Sequence, residues 1–115
     1  MDIVHNNFFK GEADVTFMGR EHKAKLSMNT FRIISQRFDI KLSDYDTLRQ
    51  EDPFTALAIL AYAALVSGAV SKGEKFDMDF EVFCDAFFDD DEFQAAMTKL
   101  FNDANPAANT DDEGK

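Results

Sequence analysis

Residues 52–70 read DPFTALAILAYAALVSGAV, and from Phe54 to Val70 the stretch carries no charged side chain. Asp52 followed by Pro53 has the chemistry of a helix N-cap and first helical position, because an aspartate oxygen accepts from free backbone N–H groups and proline has none to lose. A helix without a polar face has to be buried on nearly every side. The rest of the chain must therefore supply the layers that cover it.

One competing use of such a run is a membrane span, since residues 53–71 approach the ~20 residues that cross a bilayer. Its Ala, Ser, Thr and Gly content lowers its hydrophobicity, and no aromatic belt or basic flank brackets both ends. The amphipathic Phe-rich segments that follow also need a core to pack on. The expectation is a buried central helix, not a membrane protein.

Upstream, segments 12–18 and 23–28 alternate polar and apolar residues around Gly19, Arg20, Glu21 and His22, the pattern of a β-hairpin. Ala13, Val15 and Phe17 would share one face of the first strand, with Ala24, Leu26 and Met28 on the matching face of the second. Ile3, Val4, Phe8 and Phe9 suggest a further short strand. Asn29 or Thr30 is expected to cap a first helix with Phe31, Ile34 and Phe38 on one face. Ser43 and Asp44 open a second short helix that ends before Pro53, with Leu42, Tyr45 and Leu48 as its apolar positions.

Downstream, Phe80, Phe83, Cys84 and Phe87 mark one helical stripe; Phe93, Ala96, Met97, Leu100 and Phe101 mark the next. Asp89 and Glu92 between them suggest an acidic capping box. After Ala104 apolar periodicity ends, and residues 105–115 read as a flexible acidic tail. The predicted fold is thus α+β and mostly α-helical: an N-terminal β-hairpin followed by four or five helices around one core, within a single domain of residues 1–104.

The chain has 115 residues, room for one core, and 13 Phe with 45% apolar residues to fill it. Twelve basic against 22 acidic residues give a net charge of −10, which repels nucleic-acid phosphates and excludes that partner class. The single cysteine, Cys84, permits no internal disulfide, and Met1 to Lys10 lack the basic-then-apolar order of a secretory leader. A cytoplasmic location is expected.

Chemistry is harder to place. An EF-hand frame begun at Asp77 finds Asp79 and Glu81 but sets Val82 at the turn glycine and Phe88 at the closing glutamate, so no calcium loop is expected. Cys84 lies on an apolar stripe, and His5 and His22 have no partner at metal or triad spacing. The glycines are scattered, without phosphate-loop spacing. No cofactor, metal or catalytic set is expected, and binding of another polypeptide is the remaining class; a small enzyme built from carboxylates gathered by folding ranks below it.

For that binding role the surplus aromatics are the candidates: Phe87, Phe88, Phe93 and Phe101, with Phe8 and Phe9 at the N-terminus. Phe87 and Phe93 sit on main stripes, which also suits them to the core, whereas Phe88 falls off its stripe and favours the surface. Phe8 and Phe9 are adjacent, so an extended strand would expose one of them unless self-association or a client covered it.

The order of these features resembles a known family. GEADVTFMGREHKAKLSMN leads into TFRIISQRF, then an acidic short helix, LAILAYAALVSG, and the paired DFEVFCDAFFDDDEFQAAMTKLF. This pattern, over residues 11–101, is similar to the tail assembly chaperones of long-tailed bacteriophages and gene transfer agents. Tyr62 stands where Trp is common in that family, and the acidic turn is unusually rich in aspartate. The resemblance implies a noncatalytic factor that binds the tape measure protein, assists assembly of the tail tube protein around it, and acts as several copies per client in the host cytoplasm. The alternative is a small acidic adaptor or regulatory subunit that recognises a basic partner.

Overall fold

The computed structural model describes residues 11–104. Two strands, β1 (Gly11–Phe17) and β2 (Arg20–Leu26), are followed by five helices: α1 (Met28–Phe38), α2 (Leu42–Glu51), α3 (Pro53–Ser71), α4 (Phe80–Phe88) and α5 (Asp91–Ala104). The expected α+β architecture, an N-terminal hairpin and then helices around one core, is the architecture observed. The suggested strand near Ile3 and the tail after Ala104 lie outside the described residues.

The strands pair antiparallel with Gly11 opposite Leu26 and Phe17 opposite Arg20, leaving only Met18 and Gly19 in the turn. Both turn residues have positive φ, 53° and 76°, the left-handed pair that matches the twist of a two-residue hairpin. The sequence had suggested a four-residue turn, 19–22. Because Gly19 carries the second left-handed position without a Cβ clash, the turn tightens to two residues and Arg20, Glu21 and His22 join β2. The alternation then holds: Val15, Phe17, Ala24 and Leu26 are buried while Glu12, Asp14 and Thr16 are exposed.

Ser27 ends β2 and starts α1, so the expected cap at Asn29 or Thr30 moves back. Thr30 works from inside the first turn: its hydroxyl accepts from the Ser27 N–H at 3.0 Å and donates to the Lys25 carbonyl at 2.7 Å. Met28, expected on the buried face of a strand, is instead an exposed first-turn helical residue. Asp39, left-handed at φ 58°, terminates the helix. Of the three apolar positions expected on α2, only Tyr45 is buried.

Asp52 caps α3 as expected, accepting from the Thr55 N–H at 3.2 Å, with Pro53 in the first turn. Twelve residues of this helix are buried, from Ala56 to Gly68, because it packs on β2, α1 and α2 at once. By length and composition α3 could cross a membrane, yet 67% of its apolar window is buried within the fold. Gly68 allows the closest approach: a Cβ placed there would lie 1.8 Å from the Lys23 carbonyl oxygen of β2.

The last two helices complete the core under β1. Phe17 and Phe93 pack at a tilt of 38° with centroids 4.5 Å apart, Phe83 and Phe87 stack at 5.4 Å, and Phe87 meets Phe93 edge-on at 5.7 Å. Phe17, Phe83, Phe87 and Phe93 are among the largest fully buried side chains. Burial of each such ring contributes about 1.5–3 kcal/mol. Asp79 caps α4 through the Glu81 N–H at 3.1 Å. The cap of α5 is Asp90, accepting from the Phe93 N–H at 2.9 Å, not Asp89, whose own N–H closes the end of α4 on Ala86. The Gln94 amide ties the two helices by donating to the Phe87 carbonyl at 2.7 Å.

Candidate protein-binding surface

An acidic chain whose apolar residues all found the core would offer a partner only charge. This one leaves Met18, Met28, Leu42, Phe54, Val70, Val82 and Phe88 exposed among its large hydrophobic side chains. Single exposed hydrophobics are ordinary on protein surfaces; a concave apolar surface is more informative.

Such a surface lies where α1, α2 and α3 meet. Phe31, Leu42, Tyr45 and Leu60 form the walls of a groove of about 290 Å³, with Ser43, Asp46 and Arg49 at its margin. Tyr45 shapes the floor. Its ring meets Phe31 edge-on at 6.4 Å, and its hydroxyl donates to the Ala56 carbonyl at 2.8 Å. Burial pushes the phenol far above its ordinary ionisation range, so it stays neutral and its donor is occupied. Arg49 and Asp46 pair across 2.9 Å at the exposed margin, which neutralises charge beside the apolar floor. The groove therefore offers shape and apolar area, with Leu42 at 46% exposure supplying its open wall.

The aromatics singled out from sequence divide three ways. Phe88 is 43% exposed at the end of α4, propped against Phe87 at 5.1 Å and followed by Asp89 and Asp90 of the turn and Asp91 and Glu92 of the α5 first turn. Phe101 is half-buried on α5. Phe87 and Phe93 are corrections: both are fully buried, because their stripes close on Phe17 and Phe83, and neither can meet a partner. Phe8 and Phe9 lie outside the described residues. None of the six lines the groove.

Sequence reasoning missed Phe54, at 71% the most exposed aromatic among the described residues. It sits in the first turn of α3, ahead of Ala56 where the burial begins. Nothing in an uncharged run distinguishes a solvent-facing Phe from a buried one; only the nearness of the Asp52 cap hints that the first turn projects beyond the core.

The groups with chemical potential are accounted for by packing. His22 lies between Phe17 and Phe76, its ring edge-on to Phe76 at 5.5 Å, and burial lowers its pKa from 6.5, with a backbone hydrogen bond at Phe17 opposing the shift. Cys84 is half-buried, and burial first, then Glu81, raises its thiol pKa, the opposite of an activated nucleophile. Among the described residues, no three His, Cys, Asp or Glu side chains cluster to hold a metal ion.

Comparison with known proteins adds no relative: no family model, curated protein or solved structure matches this chain.

Proposed function

We propose that this protein is a noncatalytic assembly chaperone of the phage-tail type, holding the tape measure protein in solution while the tail tube protein assembles around it in the host cytoplasm. The observation that carries the reading is the apolar groove of α1, α2 and α3 on a chain of strongly negative net charge. A long amphipathic client needs its apolar face covered, and a groove lined by Phe31, Leu42, Tyr45 and Leu60 accepts one face of such a helix. The net charge of −10 keeps the loaded complex soluble. The order of hairpin, helix, short acidic helix, alanine-rich helix and paired Phe helices supports the same reading through its resemblance to that family. Phe88 and Phe54, outside the groove lining, are further exposed apolar side chains available to a client.

Co-expression with the tape measure and tail tube proteins of the same locus tests this. The expected result is a soluble complex with the tape measure protein, several chaperone copies per client, recovered by affinity capture and weighed intact. Capture of neither protein would overturn the reading in favour of an acidic adaptor with a basic partner.

A further inference from the structure

The two edges of the hairpin are treated differently by the fold. With a two-residue turn, Phe17 and Arg20 form the hydrogen-bonded pair that closes the hairpin, and pairs alternate from there. The backbone N–H and C=O groups of Glu12, Asp14 and Thr16 therefore point outward from β1, and those of Glu21, Lys23 and Lys25 outward from β2. Two contacts fix this phase independently. The Lys25 carbonyl accepts from the Thr30 hydroxyl, and the Lys23 carbonyl lies against Gly68 of α3.

The outer edge of β2 is thus covered by α1 and α3. On β1, by contrast, no backbone hydrogen bond joins Glu12, Asp14 or Thr16 to anything beyond β2 among the described residues, and all three are exposed. A groove of about 340 Å³ runs beside this edge, with Ala96, Lys99 and Leu100 of α5 on its far wall. Charge is sorted in rows on the outer face: Glu12 and Asp14 on β1 stand opposite Lys25 and Lys23 on β2. A third strand laid along β1 would have Glu12 and Asp14 as its nearest charged row, Glu12 reached from the far side by Lys23 at 3.5 Å, while Lys99 on the opposite wall is paired with Asp103 at 3.0 Å.

We propose that the β1 edge docks an extended basic segment of another protein as a third strand. Alternate Lys or Arg side chains of that segment face Glu12 and Asp14, and the intervening small apolar side chains face Ala96 and Leu100. Backbone pairing supplies the affinity and the acidic row the choice of partner. A second copy of this chain is a poor occupant, because β1 against β1 sets Glu12 and Asp14 against their like. The proposal does not rest on the identity of the client of the α1–α3 groove.

The test titrates the full ¹⁵N-labelled chain with a capped peptide alternating Lys and Val, long enough to span β1, and with a control alternating Glu and Val. The Lys peptide is expected to shift and protect from exchange the amides of Glu12, Asp14 and Thr16, leaving Ala13 and Val15 little changed, and to weaken as salt rises. Asp14→Lys should weaken that peptide about tenfold and improve the Glu peptide, with circular dichroism confirming the fold. Thr16→Pro removes one outward N–H at an edge position that tolerates proline, so it should fold and lose the peptide. The proposal is overturned by no saturable shift up to about 1 mM peptide, by shifts centred on the α1–α3 groove, by unchanged binding to the Thr16→Pro variant, or by concentration-dependent protection of the same amides without peptide.

Discussion

At the scale of single residues, Gly68 is where the fold is least tolerant. Alanine is the better helix former by about 1 kcal/mol, so propensity alone predicts that Gly68→Ala stabilises α3. The added methyl would collide with the Lys23 carbonyl, a backbone atom that cannot swing aside. The expected outcome in chemical denaturation is a loss of about 3 kcal/mol or more, within the range of severe core substitutions; a gain would show that α3 and β2 lie further apart. Phe87 and Phe88, neighbours in sequence, should separate cleanly. Phe87→Ala is expected to cost about 3–5 kcal/mol and Phe88→Ala less than about 1 kcal/mol, because only the first empties the core. His22 makes a prediction about pH. Burial holds its pKa below 6.5, so as pH falls through that value the unfolded chain takes up the proton first and stability is lost until the folded ring also protonates. Arg20 and Lys72 push in the same direction and Glu74 against it. Replacing His22 with Gln should flatten this acid-side decline relative to the parent, measured as melting temperature against pH; identical slopes would contradict it.

At the scale of elements, caps and turns explain most of the differences between sequence pattern and structure. The existence and order of the hairpin and helices were legible because apolar periodicity switches from two to near four at Ser27 and because Asp52–Pro53 marks a start by itself. The ends were less legible, since neighbouring polar residues compete for one role. Asp89, Asp90 and Asp91 all offer carboxylates, and which one caps α5 is decided by where α4 stops, a matter of Phe87 and Phe93 packing together. Asp90→Ala is therefore expected to lower stability by about 1 kcal/mol, and Asp89→Ala by much less. Equal effects in urea denaturation would mean that the turn shares its cap. Likewise, the hairpin turn shrank to Met18 and Gly19 because side-chain alternation resumes at Arg20, a register that pattern alone leaves open.

At the scale of the whole molecule, the core was easier to read than the surface. Apolar stripes announce what can be buried, and Val15, Phe17, Ile34, Phe83 and Met97 are buried as their periodicity requires. Surface assignment depends on which stripe finds a neighbour. Phe88 could be picked out because it leaves its stripe, whereas Leu42 and Phe54 lie in apolar patterns that run past the edge of the packed layers. The groove itself is a product of three helices meeting and has no local signature. Its role in holding a client is the central claim, and it can be measured directly: the amount of soluble tape measure protein recovered with the parent chain, with Leu42→Asp, and with Val82→Asp as an exposed apolar control outside the groove. The account predicts that Leu42→Asp, still folded by circular dichroism, loses at least tenfold of the recovered client while Val82→Asp keeps it. Equal recovery with all three would contradict a client-binding role for the groove.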